Sequence, residues 1–371
     1  MNDRERLLLY YAGGRLFTPR PRYLCFNATL RCDSRCLHCG IWEEEKPGPE
    51  LGADELRHVL ARPFFDRIET AWLTGGEPTL REDVGALARA LVKSLPSLST
   101  LGIATNALSP DRVLERVESL AKVSLGAVRS VFIHVSLDGI GETHDQVRRK
   151  KGAFEAVVET IDRLSALRAS LSGPVLEIGL NCVIQPLNVG NLEEIYQFSR
   201  ERSLPLLFNV AMITDQVYRS KSREAELKLS EDDRQKTVEF LERIMPESPP
   251  PLRYQYRNLK TVLTGGTRPY RCLTLYSTVN INADGTLIPC PASSDLFPRN
   301  VLYENMDELW RSADMLKLRK KVHRDLCPSC MLSCSLGDSM PLSEWLKGGW
   351  DGKAGRFRSL FRRAFGGGAH V

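Results

Sequence analysis

One alternation constrains the fold more than anything else in the chain. Between residues 22 and 212, short apolar runs of strand length take turns with longer segments whose apolar residues recur every three or four positions. The strand-like runs fall at 23–30, 70–73, 100–104, 131–135, 175–184 and 206–210. In the clearest helical segment Phe154, Val157, Val158, Ile161, Leu164 and Leu167 share one face. Strands alternating with helices build parallel βαβ units with right-handed crossovers. Six such units predict an α/β fold, a partial (β/α)6 TIM-like barrel, and 371 residues leave room for a further small domain.

The remaining organisation is read from changes of texture. Residues 1–21 form an N-terminal extension, 22–212 the barrel core, 213–270 a charged linker with its own helix broken at PESPPPLRYQYR, 271–340 a cysteine-rich domain, and 341–371 a basic tail. In the cysteine-rich part, STVNINADGTLIPC reads as strand, turn, strand, with Asp284 and Gly285 in the turn. The charged fraction of 26% and a net charge of +5 describe an ordinary globular surface and call for no nucleic-acid partner. No apolar run approaches the ~18 residues of a membrane span, and the charged start lacks the apolar core of a signal peptide. A cytoplasmic protein is expected.

Eight of the ten cysteines fall in two groups, an arrangement that reads as metal ligation rather than disulfides in such a chain. Cys25 and Cys182 stand alone in apolar runs and are expected in the core. Cys32, Cys36 and Cys39 have the spacing C-x3-C-x2-C directly after the first strand. Three soft thiolates suit an iron–sulfur cluster with one iron left open; a zinc site would need His38 as a fourth ligand, awkwardly placed between two of the cysteines. Past the second strand lies Thr74-Gly75-Gly76-Glu77-Pro78, whose paired glycines allow close backbone approach to a ligand and whose Glu77 offers a carboxylate or backbone groups to an amine. Alone, such a loop would be a turn.

Together, C-x3-C-x2-C and Gly-Gly-Glu-Pro closely resemble the radical S-adenosylmethionine superfamily over residues of about 22–212. The resemblance implies a 4Fe–4S cluster on Cys32, Cys36 and Cys39, and S-adenosylmethionine contacted by the loop Gly75, Gly76, Glu77 and Pro78. It extends to Asn106, Ser136 and Arg148, all just beyond strand ends, where barrel enzymes gather their working groups. Asp138 is either part of that set or a turn former. An external one-electron donor of flavodoxin or ferredoxin type is implied as well. In such enzymes the cofactor is cleaved to methionine and a 5′-deoxyadenosyl radical, which abstracts a hydrogen atom from substrate.

Cys272, Cys290, Cys327, Cys330 and Cys334 resemble the SPASM and twitch extensions of the same superfamily. Five cysteines rather than seven imply one auxiliary 4Fe–4S cluster, on Cys272, Cys290, Cys327 and Cys330 with Cys334 as a substitute; a four-cysteine zinc ribbon is the competing reading. In the tail, Phe357, Leu360, Phe361 and Phe365 oppose Arg356, Arg358, Arg362 and Arg363, the pattern of an amphipathic basic helix, for peripheral membrane contact or for packing on the barrel. The leading expectation is an oxidoreductase-type enzyme acting on a small-molecule or lipid substrate. Modification of a peptide or protein side chain is the alternative.

Overall fold

The computed structural model describes residues 20–43, 48–171, 175–214, 217–293 and 297–334. The N-terminal extension up to residue 19 and the basic tail lie outside the described residues. Seven strands make one sheet: β1 (Tyr23–Thr29), β2 (Thr70–Gly75), β3 (Thr100–Thr105), β4 (Ser130–Ser136), β5 (Val175–Ile184), β6 (Leu206–Val210) and β7 (Thr278–Ile281). Their order is β6-β5-β4-β3-β2-β1-β7, every neighbouring pair parallel. Helices cross over between successive strands from β2 to β6, as the alternation requires. The sheet stays open, with β6 and β7 as its edges.

Six strands were expected in the barrel and the structure adds a seventh. The run 278–281 is the first arm of the anticipated hairpin, and it also pairs with β1, Tyr23 facing Thr278 and Phe26 facing Ile281. The return arm is anchored by Ile288 N–H donating to the Asn280 carbonyl at 2.9 Å. Gly285, at φ +87°, makes the turn, where a side chain would be strained.

Period-two alternation decides which residues face the helices. On β1, Leu24, Phe26 and Ala28 are fully buried in the main core, while Tyr23, Cys25 and Asn27 face the other way. Each fully buried leucine or phenylalanine contributes about 1.5–3 kcal/mol. Of the helical face read at 154–167, Val157, Ile161 and Leu164 are fully covered and the other three pack at the margin. On the inner face Trp72 packs edge-on against Phe132 with ring centroids 5.6 Å apart. A Cβ on Gly102 would lie 2.4 Å from the Trp72 ring, so this layer needs that glycine.

The segment expected as a linker forms two long helices. Ser230 caps Glu231–Ile244, accepting from Asp233 N–H. The prolines read as a breaker instead start Pro250–Leu263, where their missing N–H groups cost nothing. Both helices cover β6: Phe240 meets Phe208 at 5.2 Å, and the Tyr256 hydroxyl donates to the Leu206 carbonyl at 3.3 Å.

Candidate functional site

Cys32, Cys36 and Cys39 lie on an irregular loop that leaves the C-terminal end of β1. Main-chain hydrogen bonds with two other loops and one helix fix it. Gly76 N–H donates to the Thr29 carbonyl and Glu77 N–H to the Arg31 carbonyl, both at 2.8 Å; Leu37 N–H reaches the Val147 carbonyl at 3.0 Å and Gly40 N–H the Tyr218 carbonyl at 2.6 Å. Here the reason for the paired glycines emerges. Gly75 sits at φ +115°, and a Cβ on Gly75 or Gly76 would stand 2.2 or 2.1 Å from the carbonyl oxygen of Thr29 or Arg31. The two glycines therefore allow the backbone to approach the cysteine loop closely.

Glu77 is fully buried, and its carboxylate faces protein. Oε1 accepts from Thr79 N–H (3.1 Å), the Thr79 hydroxyl (2.6 Å) and the Thr105 hydroxyl (2.9 Å), and Oε2 accepts from Asn106 N–H (2.6 Å). Burial pushes its pKa up, and these hydrogen bonds oppose the rise. The side chain therefore ties the loop after β2 to the loop after β3. Pro78, also buried, opens the short 3-10 turn that follows.

Asn106 continues the same network into the cysteine loop. Its Nδ2 donates to Asp33 Oδ1 at 2.7 Å and lies 3.9 Å from Cys32 Sγ. Asp33 also pairs with Arg112, whose Nε donates to the Thr79 hydroxyl at 3.3 Å. Burial would raise Asp33, but the bonds from Asn106 and Arg112 hold it below the usual carboxylate range.

Arg148 comes from the helix Glu142–Arg148 and is almost completely buried. Its Nη1 donates to Cys36 Sγ at 3.3 Å and its Nη2 pairs with Asp138 Oδ2 at 2.6 Å, while its Nε–H has no acceptor among the described residues. Asp138 is more than a turn former. It is fully buried, and Arg148 holds its carboxyl below the usual range against the upward push of burial. Ser136 ends β4 half-buried, on the same face as His134.

The five C-terminal cysteines also converge. Cys272, Cys290, Cys327, Cys330 and Cys334 line one cavity together with Arg268, Thr274 and Leu332. They arrive from a loop, the hairpin's return arm and the chain after the helix Ala313–Asp325. Burial pushes the Cys290 and Cys327 thiols up to about 12, and raises Cys330 and Cys334 as well. In the first group it pushes Cys32 to about 12 and Cys39 to about 11. Buried thiols so disinclined to ionise become good ligands when a positive group among them stabilises the thiolates. Two collections of soft sulfur donors fit iron–sulfur clusters on that ground. Among the described residues, no three His, Cys, Asp or Glu side chains are placed to enclose a single metal ion.

Cys182 is a core cysteine as expected, fully buried in the main cluster. Cys25 is not. It lies on the opposite face of β1 from that core and is only partly covered. Tyr218, whose carbonyl holds the first loop, has a phenol that desolvation pushes up, and the Cys334 and Cys39 thiols add to the rise. Sequence reading missed Asp33, Arg112, Tyr218 and Arg268, which form no motif. A shallow groove on the helix Ala153–Ser170, lined by Phe154, Val158 and Arg163, shares no residue with either group.

A parallel α/β barrel with one thiol loop at its first strand and a second thiol cluster near its C-terminus defines an iron–sulfur enzyme. Residues 26–198 match the family model of the radical SAM superfamily, and residues 272–335 match that of an iron–sulfur cluster-binding domain, SPASM. The chain belongs to the radical SAM superfamily and carries a C-terminal SPASM domain. Its cofactors are the radical SAM 4Fe–4S cluster, S-adenosylmethionine and an auxiliary iron–sulfur cluster.

Among curated proteins, it is 32% identical over 182 residues to pre-heme d1 synthase of Dinoroseobacter shibae (48% of this chain, 40% of the relative). It is 28% identical over 197 residues to GTP 3',8-cyclase of Synechococcus elongatus (52% and 56%). The chain thus spans about half the length of these relatives. Among solved structures, anSMEcpe with bound AdoMet and Cp18Cys peptide aligns with a TM-score of 0.59 at 19% identity, over 94% of this chain and 97% of the other. That likeness speaks for the fold. Among the described residues no helix is long and apolar enough to cross a membrane.

Proposed function

We propose that this enzyme uses radical SAM chemistry to abstract a hydrogen atom from a small-molecule substrate held at the C-terminal mouth of the barrel. The observation that carries the reading is the convergence of three other segments on the loop of Cys32, Cys36 and Cys39, among them the Gly-Gly-Glu-Pro loop and the helix that carries Arg148. When bound, the cluster and S-adenosylmethionine supply the 5′-deoxyadenosyl radical. The chain's own residues bind, orient and insulate.

In this reading Cys32, Cys36 and Cys39 hold the first cluster. Gly75, Gly76, Glu77 and Pro78 offer main-chain groups to the methionine end of the cofactor, since the Glu77 carboxylate is already occupied. Asn106 and Ser136 present polar side chains beside them. Arg148 offsets thiolate charge at Cys36 and has its Nε–H left for a cofactor oxygen. Asp138 keeps that guanidinium aimed. Four of the five C-terminal cysteines hold the auxiliary cluster, and an external one-electron donor reduces the first.

The small-molecule reading is supported by relatives named for haem and GTP chemistry that match this chain's barrel half. A second reading, peptide or protein modification, is supported by the peptide bound to a structure that shares the fold over most of the chain. A lipid substrate rests on the basic tail at 341–371; a chain truncated after Gly352 should then stop sedimenting with anionic vesicles.

The decisive experiment is anaerobic. The reconstituted, reduced enzyme should convert S-adenosylmethionine to methionine and 5′-deoxyadenosine, and deuterium from the true substrate should appear in the 5′-deoxyadenosine. Fully iron-loaded protein that leaves S-adenosylmethionine intact would overturn the reading. Deuterium delivered only from labelled peptides would select the second.

A further inference from the structure

Arg268 stands out once ion pairs are traced. It is 8% exposed, and among the described residues no carboxylate pairs with it. Its Nε–H has no acceptor among the described residues either. Its guanidinium stacks on the Tyr270 ring at 4.6 Å and lines the cavity that the five C-terminal cysteines share. Two hydrogen bonds hold it against the last three of them: its backbone N–H donates to the Pro328 carbonyl at 2.8 Å, and Nη2 to the Leu332 carbonyl at 2.5 Å. A guanidinium does not surrender its proton in a protein, and a buried cation without an anion is strongly unfavourable. The groups around it able to become anions are the Tyr270 phenol, which burial keeps protonated, and the cysteine thiols that line the same cavity.

We propose that Arg268 is the built-in counter-ion of the auxiliary centre, and that its fixed positive charge raises the reduction potential of the cluster held by those cysteines. The inference rests on the auxiliary-cluster reading. Each electron added to a thiolate-bound cluster adds one negative charge, and a neighbouring cation favours that more negative state. Net charge, hydrogen bonding and burial are the levers by which a protein sets such potentials. The two backbone contacts add a second task, shaping the 327–334 segment, so the test must separate charge from shape.

The experiment is an EPR-monitored redox titration of the reconstituted full-length chain. A Cys32→Ala, Cys36→Ala, Cys39→Ala triple variant identifies the auxiliary signal. Arg268→Gln, loaded with the same iron, should titrate at a clearly more negative potential, and Arg268→Lys should stay near wild type. An unchanged potential in a fully loaded Arg268→Gln protein overturns the proposal. If Arg268→Gln does not load, the lysine variant decides. A loaded Arg268→Lys centre with a strongly lowered potential would show that shape, not charge, sets the value. Wild type that takes up zinc at this site, with iron only at the first, removes the cluster reading itself and is told apart by metal analysis.

Discussion

The two cysteine groups are assembled in opposite ways. The first is local: Cys32, Cys36 and Cys39 share one loop, and the fold needs only to brace that loop. The second is gathered from the stretch between 272 and 334, so its thiols meet only after a hairpin, two helices and a closing turn have all packed. A local group can be recognised from spacing and holds its ligands near one another even in a loosened chain. A gathered group reports on the integrity of the whole C-terminal half.

The largest effect that could break this comparison is catalytic. Cys36→Ala is expected to abolish 5′-deoxyadenosine formation, whereas Cys330→Ala should retain part of it and lose product more severely. Complete and equal loss in both, with Cys330→Ala folded and loaded at its first site, would end the division of labour.

Next comes stoichiometry. The reconstituted wild type should bind about eight irons, two four-iron clusters. Removing Cys32, Cys36 and Cys39 together should halve that number and leave the second centre in place. If the triple variant loses all its iron, the two groups are not independent.

Glycine replacements sharpen the contrast in the backbone. Gly76→Ala places a methyl 2.1 Å from the Arg31 carbonyl, backbone against backbone. We expect a loss of about 3 kcal/mol or more, together with the first cluster. Gly285→Ala meets the Asn300 side chain at 2.7 Å, which can move, so the positive φ dominates at about 1 kcal/mol, with iron retained. Equal melting temperatures for the two variants would contradict this.

The smallest effect is on pH. His144 beside Asp138 and His323 in the C-terminal half are both pushed down to about 4, burial being the first cause. A histidine whose folded pKa lies below its unfolded value of 6.5 stabilises the fold above that value. The contribution is lost as pH falls from there toward about 4. Melting curves should therefore show acid destabilisation in this window, shallower in His144→Gln and in His323→Gln. An unchanged slope in both would assign the acid sensitivity elsewhere.

Much of this was legible beforehand, for identifiable reasons. Strands with β-branched and aromatic residues between helical periods gave six of seven strands, because local pattern decides them. β7 was hidden because 278–281 is short and its partner, β1, lies at the other end of the chain. The inward turn of Glu77 was hidden because its four donors come from two different loops. Cys25 was misread although the signal was present. Counting by twos along β1 puts it with Tyr23 and Asn27, away from Leu24 and Phe26. Prolines 249–251 were read as a stop when their lack of N–H suits a helix start equally well.

The pairing of β7 with β1 also bears on how the molecule is made. The strand that launches the first cysteine loop keeps one edge unpaired until residues 278–281 have been synthesised and folded against it. An uncovered strand edge invites pairing with other chains, and contacts this distant in sequence form slowly. The nascent barrel therefore passes through a long, vulnerable interval during translation, and its first half should aggregate when expressed alone.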